Sequence, residues 1–121
     1  MNYEFNYNGH TYKSENAIRI LTTAIGDECF GNVMRVVLWR TVDGLYYFTL
    51  EDIVSDGYFY TMENGEVYIV KNVHCWVTDL DNVRYWMRKN DIELAEIEDA
   101  RAKKDKALYE AIMNDLRPDD N

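Results

Sequence analysis

The chain has 121 residues, and its 22 Asp+Glu against 13 Lys+Arg give a formal charge of −9. With 47% hydrophobic residues, one proline and six glycines, it is neither a disordered nor a linker-rich chain, and its length suits one domain over 1–121. No apolar run approaches the roughly 20 residues that cross a bilayer. The acidity disfavours direct contact with nucleic acid or anionic lipid, whose phosphates require clustered Lys and Arg.

The first residues, Met1 to Phe5, lack the basic and apolar regions of a secretory signal. The two cysteines, Cys29 and Cys75, are therefore expected as free thiols, and the compartment as cytoplasmic.

Residues 3–13 read as a hairpin. Tyr3, Phe5 and Tyr7 alternate with polar residues, and Asn8-Gly9 is the preferred dipeptide of a two-residue type I′ turn. That turn sets Phe5 opposite Tyr12 and Glu4 opposite Lys13, an aromatic pair and an opposite-charge pair.

Ser14 is a candidate cap for a short helix from Glu15. Ala17, Ile18, Leu21, Ala24 and Ile25 then follow the stripe of a helix packed on one face, with Gly26 as its stop. From Val33 to Thr41 the chain is a strongly apolar strand, and Val36 to Trp39 leave neither face polar, which places it inside a sheet. Asp43-Gly44 reads as a second I′ turn, into Leu45–Leu50, with Trp39 facing Phe48 and Arg40 facing Tyr47.

Glu51 to Gly57 reads as an acidic connection, Tyr58 to Met62 as a strand, and Asn64-Gly65 as a third I′ turn into Val67–Val70. A further strand starts at Val73, with Val73, Cys75 and Val77 on one face and His74 and Trp76 on the other.

Residues 79–117 change to helix. Thr78 or Asp79 caps a helix from Leu80, with Leu80, Val83 and Met87 as its apolar stripe, and Lys89-Asn90-Asp91 bends or ends it. Ile92 to Leu116 are nearly all good helix formers, in one helix or two. Leu94 and Ile97 dock one end; Leu108, Ala111, Ile112 and Leu116 dock the other or meet a partner. The middle of this stretch is polar on every face, so it either packs locally or projects, and 118–121 is a frayed tail.

The predicted fold is α+β: an antiparallel sheet of about five or six strands with an N-terminal hairpin, one short helix after it, and C-terminal helices packed on one face or projecting. Residues 1–78 hold the hairpin, helix and sheet, and 79–117 the helices.

Catalytic and metal signals are sparse. There is no C-x-x-C, no His-x-x-x-His and no Gly-rich phosphate loop, and the two histidines, His10 and His74, lack a nucleophile at a workable spacing. No cofactor and no catalytic residue is assigned. The informative cluster is acidic and aromatic. Glu51, Asp52 and Asp56 lie in the connection after Leu50; Glu63 and Glu66 would face each other across the Asn64-Gly65 turn as like charges, which destabilise a hairpin unless something basic lies against them. Tyr58 and Tyr60 supply rigid apolar area of the kind enriched at protein interfaces.

Three functional readings follow. The first is a small acidic, non-enzymatic binding module whose partner is a protein with a basic surface, such as a nucleic-acid-binding enzyme, with Glu51, Asp52, Asp56, Tyr58, Tyr60, Glu63 and Glu66 in contact. In its sharpest form the carboxylates mimic phosphates, as in phage-encoded inhibitors of bacterial defence, anti-CRISPR proteins included; the likeness is of size and charge, with no shared motif. The second is a self-associating structural or adaptor protein, a homo-oligomer through Leu108, Ile112 and Leu116 of the C-terminal helix. The third is a small hydrolase whose carboxylates come together from distant strands.

Overall fold

A computed structural model describes residues 4–25, 34–51, 67–70 and 73–117. Strands β1 (Glu4–Tyr7) and β2 (His10–Lys13) form the N-terminal hairpin. Asn8 and Gly9 both take positive φ, 50° and 77°, as a I′ turn demands, and the register pairs Glu4 with Lys13 and Phe5 with Tyr12.

The short helix after the hairpin is a single 3-10 turn, Ser14–Asn16. The expected helix through Ile25 is instead strand β3 (Ile18–Ile25). The cause is a bulge. The register to strand β4 (Met34–Arg40) shifts between Arg19 and Leu21, leaving Ile20 as the extra residue. Ile18, Ile20 and Leu21 all enter the same apolar cluster, so a period-two strand with one extra residue imitates helical spacing. The β-branched residues Ile18, Ile20, Thr22 and Thr23 were the local sign of a strand.

β4 turns into strand β5 (Tyr46–Glu51) through a three-residue loop, not the expected two-residue turn. Thr41 N–H donates to Leu45 O at 2.8 Å, Gly44 N–H donates to Thr41 O at 3.1 Å, and Gly44 sits at φ 87°. This is a turn closed by a left-handed residue, the common three-residue hairpin loop. The extra residue moves the register by one: Trp39 pairs with Tyr47 and Arg40 with Tyr46.

Strands β6 (Val67–Val70) and β7 (Val73–Val77) complete a five-stranded antiparallel sheet in the order β3-β4-β5-β7-β6. The expected strand at 58–62 and the Asn64-Gly65 turn lie outside the described residues.

Both faces of the sheet are covered. On one lie helices α1 (Leu80–Lys89), α2 (Ala100–Lys104) and α3 (Lys106–Leu116). Val36, Leu38, Tyr46, Phe48, Leu50 and Trp76 meet Val83, Trp86, Ile97, Ala102, Ile112 and Leu116 there. Phe48 is central, with ring centroids 5.2 Å from Trp76 and 4.7 Å from Trp86. The hairpin covers the other face. Phe5 stacks on Tyr12 at 4.9 Å, and both meet the edge of Tyr47, at 6.0 and 5.4 Å. Aromatic pairs of this kind add about 0.5–1.5 kcal/mol beyond their buried area. Tyr46 and Phe48 are both buried beneath the helices.

Asp79 caps α1, its carboxylate accepting from Asn82 N–H at 2.8 Å, and Asn90 ends it. The run of helix formers from Ile92 is not one helix. Glu98 and Asp99 N–H donate to Ile20 and Arg19 carbonyls at 3.0 and 3.1 Å, laying this stretch along the outer edge of β3. Asp99 and Asp105 then cap α2 and α3 in turn. Pairing with an open strand edge and two capping acids override helix propensity here. The C-terminal helices pack on the sheet and do not project.

Candidate functional site

The acids of the described C-terminal half are largely committed to the fold. Asp79, Asp99 and Asp105 accept helix N-terminal N–H groups. Glu98 accepts from Thr22 N–H at 2.8 Å, from the Thr22 hydroxyl at 3.0 Å and from Arg19 Nε at 3.2 Å. Asp115 accepts the Tyr46 hydroxyl at 2.8 Å. The Arg101 guanidinium beside Asp99 holds that carboxyl below its usual range, and Asp99 in turn raises Arg101. Burial, reinforced by Asp115, pushes the Tyr46 phenol upward, so it serves as a donor and not as an acid.

Of the residues picked out from the sequence, Glu51 is the last residue of β5, in register with Arg35. Asp52, Asp56, Tyr58, Tyr60, Glu63 and Glu66 lie outside the described residues. Leu108 is half-buried and packs against the core under the helices, and Ile112 is 0% exposed. The side chain of Ile112 is therefore a core element and offers no surface contact, because α3 docks with it inward. Cys75 is a buried free thiol, pushed up to about 12 by burial. Among the described residues, no three His, Cys, Asp or Glu side chains gather closely enough to hold a metal ion.

The structure adds a site that the sequence reading missed. A groove of about 390 Å³ lies between the C-terminal ends of α1 and α3. Its apolar lining is Met87, Ile92, Leu94, Met113 and Leu116. Met87 and Leu116 are buried, whereas Ile92, Leu94 and Met113 are half-buried. Around it stand Arg84, Arg88 and Arg117, with Glu93 the one acid.

The three arginines are not equivalent. Arg84 is fixed: its Nε donates to Asp115 O at 2.8 Å, and its NH1 lies 3.7 Å from Asp81. Arg88 and Arg117 are exposed and have no ion pair among the described residues. Arg88 also belongs to the last turn of α1, where a cation favours the helix dipole. The signal for this site was present in the sequence. Arg84 and Arg88 are a like-charge i, i+4 pair beside the Met87 stripe, an arrangement that weakens a helix unless an anion lies near it. Comparison of the chain with protein-family models, with curated proteins and with solved structures returns no match, which leaves its own residues as the basis for any functional reading.

Proposed function

We propose that the chain is a non-enzymatic protein-binding module that docks on a basic surface of its partner through the acidic, aromatic stretch 51–66. In the sharper form of this reading, the carboxylates occupy the positions of nucleic-acid phosphates on a nucleic-acid-binding enzyme. The protein then acts as an inhibitor, in the manner of small acidic phage proteins directed at bacterial defence.

One observation carries this reading. The stretch 51–66 holds Glu51, Asp52, Asp56, Glu63 and Glu66 and not one Lys or Arg, together with Tyr58, Phe59 and Tyr60. The acids of residues 79–115, by contrast, are mostly committed to caps and pairs within the fold. Charge without a neighbouring counter-charge in sequence is what steers a chain onto an oppositely charged surface. Self-association through the C-terminal helix is less well supported, since Ile112 and Leu116 face the chain's own core.

Affinity capture from the lysate of the native host, eluted in a salt gradient, tests the proposal. The wild type is compared with a variant carrying E51Q, D52N, D56N, E63Q and E66Q. The expected result is a basic partner that the wild type releases only at high salt, that the variant does not retain, and that added DNA or RNA displaces. Equal retention by the neutralised variant would sink the reading.

A further inference from the structure

We infer that the groove between α1 and α3 is a second binding site, for an acidic peptide segment that carries a large apolar side chain. It uses residues other than the 51–66 stretch, so the two readings stand or fall separately.

Charge complementarity selects the ligand. The chain is acidic overall, with 13 bases to 22 acids. Elsewhere in the described structure four cations have acids close by: Arg19 with Glu98, Arg101 with Asp99, Lys103 with Glu96 and Lys13 with Glu4. At the groove three arginines stand with one acid, Glu93; Arg84 is held by Asp81 and the Asp115 carbonyl, which leaves Arg88 and Arg117 without an ion pair among the described residues. A guanidinium presents a planar fork of donors that matches a carboxylate. Distant acids oppose the approach of an anion only weakly, because charges more than about 8–10 Å apart are screened at physiological salt.

The floor selects the apolar part. Ile92, Leu94 and Met113 come from the segment after α1 and from α3, and each keeps part of its apolar surface uncovered. Met87 and Met113 add flexible side chains that adapt to an incoming group. The volume of about 390 Å³ is at the lower end of ligand clefts, which begin near 300 Å³. It admits one or two large side chains and not a folded element. Arg88, Glu93 and Arg117 at the rim are exposed, so the groove is open to solvent and a chain can lie across it.

The test is fluorescence anisotropy near physiological salt, with a labelled peptide of Asp and Glu around a single Phe. Two control peptides replace the acids by Asn and Gln, or the Phe by Gly. Saturable binding with Kd on the order of 10–100 μM is expected, as suits a small transient site. Arg88→Glu with Arg117→Glu is expected to weaken it by about tenfold or more, while Arg88→Lys with Arg117→Lys keeps most of it. Both arginines are exposed, so the reversed variant should stay folded, its melting temperature lowered by at most the few degrees that an acid in the last turn of α1 costs. Each control peptide should bind at least about tenfold more weakly. The E51Q/D52N/D56N/E63Q/E66Q variant should bind the peptide as the wild type does. The inference is overturned by equal binding of the amide peptide, by indifference to charge reversal, or by no saturation up to about 1 mM. Binding of sodium decanoate without binding of the peptide would also overturn it, in favour of a small amphipathic acid.

Discussion

Glu98 closes the free edge of β3 by accepting from both the backbone N–H and the hydroxyl of Thr22, at 2.8 and 3.0 Å. An uncovered edge strand is a template for pairing with another chain, and this carboxylate, with the adjoining main-chain bonds of 98–99, covers it. Glu98 is 39% exposed, which tempers the worth of its charged hydrogen bonds. Glu98→Ala is expected to cost about 1 kcal/mol in urea unfolding. It should also raise concentration-dependent light scattering on mild heating. A variant as stable and as monodisperse as the wild type would show that the backbone bonds suffice.

Ile112 distinguishes a core role for α3 from an interface role. Its side chain is fully buried beneath the sheet, so Ile112→Ala leaves a cavity and should cost about 2–4 kcal/mol. Ile112→Asp should abolish the folded far-UV circular dichroism signal and give an expanded species on size exclusion. A folded Ile112→Asp protein whose only change is a smaller assembly would mean that α3 is an interface helix.

Stability should fall in alkali. Tyr12, Tyr46 and Cys75 all hold their protons more tightly in the fold than in the unfolded chain, chiefly through burial, with Asp115 adding to the effect at Tyr46. Each is neutral when protonated, and a raised folded value means stability that is complete below the unfolded pKa and is lost as pH rises toward the folded one. The window opens near the ordinary thiol value, about 8.5–9, and widens past about 10 as the phenols join it. Melting temperature should be flat with respect to these groups below about pH 8 and decline above about pH 9. Tyr46→Phe should reduce the slope above about pH 10, at a cost of about 1–2 kcal/mol at neutral pH from the lost bond to Asp115. An unchanged slope in that variant would remove Tyr46 from the account.

Gly44 tests the loop between β4 and β5. At φ 87° an L side chain is strained, and the nearest atom to an added Cβ is the far end of the Arg40 side chain, 3.3 Å away, which has to give by only a few tenths of an ångström. Gly44→Ala should therefore cost about 1 kcal/mol or somewhat more from backbone strain, and Gly44→Asn less, because Asn tolerates the left-handed region. Equal cost for both in urea unfolding would point to crowding at Arg40 instead.

The α+β class, the antiparallel sheet and the helical C-terminal third were all legible before the structure, and so were several details. Asn8-Gly9 set the first hairpin to the residue, and Thr78-Asp79 marked the start of α1, with Asp79 the cap of the two. These features depend on chemistry within a few residues: the φ values a turn imposes, or a side-chain oxygen within reach of free N–H groups. Four unpolar positions in a row from Val36 to Trp39 also announced a strand with both faces covered.

The rest depends on partners far away in the chain. Residues 18–25 are a strand because Met34–Arg40 offers a ladder to pair with, and the bulge at Ile20 disguises the period. The helix formers after Ile92 give up a turn because the edge of β3, some 75 residues earlier, has carbonyls to satisfy. The groove arises in the same way. The Arg84 and Arg88 pair is visible in sequence, but Arg88 and Met113 line one cleft only because α1 and α3 dock side by side on the same sheet face. Local preference is worth tenths of a kcal/mol per residue, whereas burial and edge pairing are worth about 1 kcal/mol or more, so long-range contacts prevail wherever the two disagree.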